Sequence, residues 1–342
     1  MRLIATHSWY KAASFFMVKP SSLNPESNGL ASPTQSAGPL VAILLCTYNG
    51  EAYLRDQIES FLAQTHTHWR LFVSDDGSTD GTLSILDSYQ NLLGERLVIL
   101  RGPSKGFAQN FLSLIRHEQV NADAYAFSDQ DDIWLPEKLE RSLVEAYSLS
   151  APSPFLYCSR TQLIDTYGEI TGLTPLFSKR PSFRNALVQS LAGANTMVIN
   201  ESTRQLMART DQDAAIVAHD WLAYMIVAGC GGSIVYDPIP TLLYRQHADN
   251  LIGANTGLRS RMIRIRKMLG GRFKQWNEIN LSLMSGYSSD LTAENRWVLE
   301  QFNQLRSASL WRRLAALKSA GFYRQTLAGT VSLYAAVILN QV

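Results

Sequence analysis

Leu40-Val41-Ala42-Ile43-Leu44-Leu45 is an unbroken apolar run that stops at the polar turn Cys46-Thr47-Tyr48-Asn49-Gly50. A short run without alternation predicts a strand covered on both faces, as in a parallel sheet. Leu54, Ile58, Phe61 and Leu62 then recur at helical spacing. They give a helix with one apolar stripe that can lie on that sheet. The pattern returns at Trp69 to Val73, a strand ending in Ser74-Asp75-Asp76-Gly77-Ser78-Thr79-Asp80-Gly81, with Leu83, Ile85 and Leu86 on the helix after it. Leu97 to Leu100 is a third strand, followed by a Gly/Ser loop and by Phe111, Leu112 and Ile115 on a helix. A fourth strand, Ala124 to Phe127, runs into Ser128-Asp129-Gln130-Asp131-Asp132.

Strands alternating with helices predict an α/β fold with a Rossmann-like, mostly parallel central sheet, whose ligands bind at the carboxyl ends of the strands. Every polar motif above lies at such an end. The second half is less regular. Phe155 to Ser159 and Thr196 to Ile199 read as strands, Asp220 to Ala228 as a helix, and Gly232 to Tyr236 as a last strand before Pro238 and Pro240. Beyond Asn255 the pattern is helical, with Leu258, Met262, Ile265 and Leu269 forming an apolar stripe. Residues 20–39 carry Pro20, Pro25, Pro33 and Pro39 among Ser, Asn and Gly, and hold too little apolar surface to fold. Three segments result: a flexible 1–39, an α/β domain over 40–254 and a helical region over 255–342.

Composition narrows the class. Hydrophobic residues make up 46% and charged residues 18% of the 342, the balance of a globular chain. Cys46, Cys158 and Cys230 are far apart and include no CxxC pair, so neither a zinc knuckle nor a disulfide framework is indicated. The formal charge of +2 conceals an asymmetry. Residues 1–255 hold 18 Lys and Arg against 25 Asp and Glu, a net of −7, whereas residues 256–342 hold 13 against 4, a net of +9. No apolar run reaches the roughly 18–20 residues of a membrane span. The core Phe15-Phe16-Met17-Val18 is too short for a signal peptide, so a cytoplasmic location is expected.

Three carboxylates within four residues, Asp129, Asp131 and Asp132, are costly unless a cation is shared between them. Oxygen ligands favour Mg²⁺ or Mn²⁺ over zinc. The plainer alternative is that Asp131 and Asp132 cap a helix whose first turn holds Pro136. At the first strand end, Thr47, Asn49 and Glu51 offer polar side chains, and helix or turn capping explains Thr47 or Asn49 equally well. Asp75 is placed to accept hydrogen bonds from a ligand such as a nucleobase, while Asp80 reads as a helix cap. Lys105, in Gly102-Pro103-Ser104-Lys105-Gly106, suits a phosphate. The GxxxxGK[ST] and GxGxxG orders are both absent, which excludes a P-loop and argues against a nicotinamide dehydrogenase. Late in the domain stand His219-Asp220-Trp221 and Tyr244-Arg245-Gln246-His247.

Taken together, Val41 to Gly50, Gln64-Thr65 and Val73 to Thr82, followed by the acidic cluster, resemble the family 2 glycosyltransferases of the GT-A fold, and among them the bacterial rhamnosyltransferase-like members. The likeness spans about residues 40–250. It implies an inverting transfer of a sugar from a nucleotide-sugar donor, dTDP-L-rhamnose or a UDP-linked hexose or N-acetylhexosamine, to a glycan or lipid-linked saccharide in surface-polysaccharide assembly. By the same resemblance Thr47, Asn49, Glu51, Asp75 and Lys105 would line the donor site with Asp129, Gln130 and Arg245. Asp131 and His247 would hold Mg²⁺ or Mn²⁺, and Asp220 would be the base, with His219 where many relatives have Glu. Asp132 has no role in that scheme.

From Thr256 to Trp276 there are seven Lys or Arg and no acid. Thr326 to Leu339 is largely apolar. These stretches fit contact with the inner face of a membrane as well as they fit packing on the domain. A nucleic-acid-binding reading rests on the charge of the tail alone and lacks a reading motif, so no nucleic-acid partner is expected.

Overall fold

The computed structural model describes residues 38–148, 153–247 and 271–342. The proposed flexible segment through residue 37, and the basic stretch from 256 to 270, lie outside the described residues.

Strands β1 (Val41–Thr47), β2 (Trp69–Asp75), β3 (Leu97–Arg101) and β4 (Ala124–Ser128) are parallel neighbours in the order β4-β1-β2-β3. Beyond β4 the sheet continues through β9 (Val198–Asn200), β6 (Phe155–Ser159) and β10 (Ser233–Asp237). Of the seven strands β9 alone runs antiparallel, pairing β4 on one side and β6 on the other. The mostly parallel sheet expected from the continuous apolar runs is therefore present.

Alternation along β1 sends its side chains to two cores. Val41, Ile43 and Leu45 pack with Leu54, Ile58 and Phe61 of α1 (Leu54–Leu62), with Ile85 and Leu86 of α2 (Thr82–Leu93), and with Leu139 and Leu143 of α4 (Lys138–Tyr147). Ala42 and Leu44 face the other way. They meet Phe111 and Leu112 of α3 (Phe107–Arg116), Phe183 of α5 (Phe183–Ala186), Met207 of α6 (Glu201–Ala208) and Leu222 of α7 (His219–Gly229). That second core also takes Met284 of α8 (Arg272–Ser285), Phe302 of α9 (Ala293–Ser307), Leu317 of α10 (Leu310–Ala320) and Leu333 of α11 (Leu327–Ile338). The C-terminal helices thus share the core of the α/β domain.

Two sequence expectations change. Gly232 to Tyr236 marks β10, but β11 (Leu242–Arg245) follows it, so Arg245 ends a strand rather than lying beyond the last one. Thr196 belongs to a 3-10 turn over Ala194–Thr196, and the strand begins at Val198. Both strands are only three to four residues long, too short for alternation to stand out. Strand β11 pairs with β5 (Ile133–Trp134) and β7 (Gln162–Ile164), and β7 with β8 (Ile170–Leu173), making a small second sheet.

Candidate active site

Register puts the first polar groups together. Thr47 and Asp75, the last residues of β1 and β2, are direct partners, so Thr47 Oγ1 donates to Asp75 Oδ2 at 2.8 Å. Ser78 Oγ donates to that same oxygen, and the N–H groups of Gly77 and Ser78 donate to Oδ1 at 3.1 and 2.8 Å. Four donors nearly fill the acceptor capacity of a carboxylate. Asp75 therefore organises its turn, and a base would have to exchange with one of these bonds. Asn49 holds a left-handed backbone (φ 49°) and accepts from Thr79 N–H at 2.8 Å. Glu51 accepts from Gly81 N–H at 2.9 Å. The donor-pocket candidates of the first two strand ends are thus stitched to one another.

Gln130 closes that wall against the acidic loop. Its Oε1 accepts from Tyr48 N–H at 2.9 Å and its Nε2 donates to Tyr48 O at 3.0 Å. The amide lies so close to Gly50 that an added Cβ would come within 2.4 Å of Oε1. A side chain at residue 50 would therefore displace the Gln130 amide from the backbone of the β1 loop that it holds.

The second sheet delivers the late residues. Leu242 faces Trp134 and Leu243 faces Ile133, so the antiparallel register carries Arg245 to Asp131 and Asp132. Arg245 N–H donates to Asp132 Oδ1 at 3.1 Å, its Nε to Asp131 O at 3.1 Å and its Nη2 to Asp56 Oδ2 at 3.0 Å. The buried guanidinium also lies 4.6 Å from the Tyr53 ring centre. These bonds make it a bracket for the acidic loop. Two residues on, His247 Nε2 is 2.7 Å from Asp131 Oδ2, with Tyr53 5.2 Å from its ring. Lys105 is exposed and forms an ion pair with Asp213 at 3.0 Å.

Asp132, the carboxylate without a role in the sequence reading, is fully buried. Its Oδ2 accepts from Asn195 Nδ2 at 2.5 Å, its Oδ1 from Arg245 N–H, and its own N–H donates to Gln57 Oε1 at 3.0 Å. It ties α1, the turn before β9 and β11 to the acidic loop. Burial, then Asp131 and Asp129, push its carboxyl well above the usual range, against the two donors that hold it down. Asn195 and Gln57 were missed from the sequence. They lie 63 and 75 residues away along the chain, and nothing local distinguishes them from other amides.

Asp220 reaches the same place from α7. That helix is apolar around its whole circumference and fully buried except at its first turn. Neighbouring His219 stacks on Phe111 at 3.9 Å and meets Phe127, near the end of β4, edge-on at 5.2 Å. Among the described residues neither of its ring nitrogens has a partner, and burial drives its pKa down to about 3, so it is a neutral packing group. Its position by Phe127 sets Asp220 beside the acidic loop. Burial raises the Asp220 carboxyl to about 6, opposed by the Trp221 N–H that donates to Oδ1 at 2.6 Å. Asp129 is pushed up to about 7, first by burial and then by the charges of Asp131 and Asp220. Four of the predicted site residues, Asp129, Asp131, Asp220 and His247, thus gather at the end of β4.

Carboxylates gathered this closely suit a divalent cation. Among the described residues no group of three or more His, Cys, Asp or Glu gathers at ligand spacing. Asp131 and His247, 2.7 Å apart, would offer such an ion two ligands and leave its other positions to phosphate and water.

A family model described as glycosyl transferase family 2 matches residues 42–151, the segment from β1 through the acidic loop and α4. The putative teichuronic acid biosynthesis glycosyltransferase TuaG of Bacillus subtilis is 32% identical over 196 residues, covering 55% of this chain and 72% of that protein. The chain belongs to glycosyl transferase family 2. It is also similar to the dTDP-rhamnosyl transferase RfbG of Shigella flexneri, with 27% identity over 78% of this chain and 93% of that protein. A solved family-like fold, the mannosyltransferase PcManGT of Pyrobaculum calidifontis in complex with GDP-Man and Mn²⁺, superposes with a TM-score of 0.50 at 15% identity, over 89% of this chain and 81% of its own. That likeness shows the GT-A fold. Among the described residues no helix is long and apolar enough to cross a membrane.

Proposed function

We propose that this glycosyltransferase moves a sugar with inversion from a nucleotide-sugar donor, in a divalent-metal-dependent reaction, to a glycan or lipid-linked saccharide of a surface polysaccharide. The observation that carries the reading is the convergence on Asp129, at the end of β4, of Asp131 from its own loop and Asp220 from α7, both close enough for their charges to raise its carboxyl. Asp220 Oδ1 is held by Trp221 N–H, which leaves Oδ2 to take the proton of the acceptor hydroxyl as that oxygen attacks the anomeric carbon. A base with a pKa of about 6 is ionised near neutral pH yet basic enough to accept the proton. A single carboxylate acting at the sugar corresponds to direct displacement, and hence inversion. In this reading Thr47, Asn49, Glu51 and Asp75 line the donor site, Gln130 holds the β1 loop and Arg245 the acidic loop in place, and Lys105 would leave Asp213 to meet a donor phosphate. Asp131 and His247 would hold Mg²⁺ or Mn²⁺, with Asp129 beside them. A divalent ion bound there supplies positive charge to the departing diphosphate.

Similarity to the Shigella rhamnosyltransferase over most of its length supports dTDP-L-rhamnose as donor, with UDP-hexoses or UDP-N-acetylhexosamines as competitors. A donor panel, followed as nucleoside diphosphate release with and without EDTA, tests both donor and metal. Asp220→Asn should reduce transfer by at least about 10²-fold while leaving nucleotide affinity in place. Transfer at the parental rate in that variant would remove Asp220 from the chemistry.

A further inference from the structure

Among the described residues the C-terminal helical hairpin is covered on one side only. Helix α11 has no charged residue, and its Leu333, Ala336 and Val337 enter the core. On its other face Leu327, Val331, Tyr334 and Ile338 recur at positions i, i+4, i+7 and i+11 and are exposed, Leu327 to 80% and Val331 to 61%. Arg313 of α10 donates to Val337 O at 2.9 Å and to Asn340 Oδ1 at 2.7 Å. The two helices are therefore antiparallel neighbours, with the first turn of α10 beside the last turn of α11. That end gathers Leu310, Trp311, Ile338 and Leu339, all exposed, Trp311 to 79%. The outward side of α10 also presents Arg312 and Lys318, and no acidic residue occurs after Glu300.

Water is a poor solvent for so continuous an apolar stripe, and the charges around it select the occupant. A second copy of the chain, meeting this face in a two-fold dimer, would bring Arg312 and Lys318 toward their own duplicates. An anionic lipid surface meets both features at once: acyl chains for the stripe, headgroup phosphates for the cations, and the boundary between them for Trp and Tyr. We propose that the α10–α11 hairpin seats on an anionic bilayer surface, with Val331, Ile338 and Trp311 in the acyl–headgroup boundary and Arg312 and Lys318 on lipid phosphates. It would lie on the bilayer without crossing it. This does not depend on the sugar donor or on the proposed base.

Sedimentation of the full chain with vesicles of phosphatidylcholine, alone or mixed with phosphatidylglycerol, tests it. Binding to the mixed vesicles should be roughly ten-fold tighter than to phosphatidylcholine alone and should weaken with added salt. The Val331→Glu/Ile338→Glu variant should lose binding while keeping the parental circular dichroism and thermal midpoint, since both side chains are exposed. Arg312→Gln/Lys318→Gln should lose only the preference for the anionic lipid. Failure of the parent chain to sediment with either vesicle would overturn the proposal. So would a dimer in light scattering that the double Glu variant dissociates without any effect on vesicle binding.

Discussion

Replacing Asp129 with Asn should make the metal-free protein more stable while abolishing transfer. Asp129 carries a pKa of about 7 in the fold, against roughly 3.9 in an unfolded chain. Between those values the native state holds a proton that the unfolded state has released, so stability falls as pH rises from about 4 to about 7. At 1.36 kcal/mol for each pH unit the full effect at pH 8 is on the order of 4 kcal/mol. Asp129 keeps partial solvent contact, and screening reduces the recoverable part to about 2 kcal/mol. Asn cannot ionise and escapes this penalty. In EDTA at pH 8 the variant should melt roughly 3–6 °C above the parent, and the gap should shrink toward pH 5. Saturating Mn²⁺ should raise the parent's midpoint more than the variant's, because the variant keeps Asp131 and His247 but lacks the Asp129 charge whose repulsion the ion offsets. A variant less stable than the parent at pH 8, or a gap independent of pH, would refute the electrostatic account of the acidic cluster.

Asp132→Ala removes the acceptor for Asn195 and Arg245 N–H in a dry site and should cost about 2–4 kcal/mol in denaturant unfolding, with Asp132→Asn recovering part of it. His219→Phe keeps the stack on Phe111 and should hold kcat within a few-fold. His219 is held neutral to about pH 3, whereas an unfolded His protonates near 6.5, so this residue withdraws stability as pH falls through that window. The Phe variant should therefore lose less stability than the parent between pH 6.5 and 4 in chemical denaturation.

The parts of the fold legible in the sequence were those built from long apolar runs. Strands β1 to β4 and the apolar helix α7 are such runs, and the polar groups at their ends locate the candidate site. Strands β5, β7, β8 and β11 span two to four residues each, where neither alternation nor propensity rises above chance. The residue types at the candidate site were readable, but their division of labour was not. Gln130 and Arg245 carry groups that suit a nucleotide, yet Gln130 holds the Tyr48 backbone and Arg245 the Asp131 backbone. Asp132 looked like surplus charge because its partner Asn195 is brought to it only by the antiparallel entry of β9.

The bonds around Asp132 also impose an order on synthesis. A ribosome that has released the chain through residue 151, the end of the segment matched to the family, has delivered β1 to β4 and all three acidic side chains. Asn195 emerges 63 residues after Asp132, and Arg245 113 residues after it. Until both arrive, the nascent domain carries a carboxylate bound for the interior with nothing to receive it. The acidic loop can therefore settle only when nearly the whole catalytic half has left the exit tunnel. A nascent chain arrested before Arg245 would hold every polar motif at the ends of the first four strands while Asp132 still lacked one of the donors that receive it.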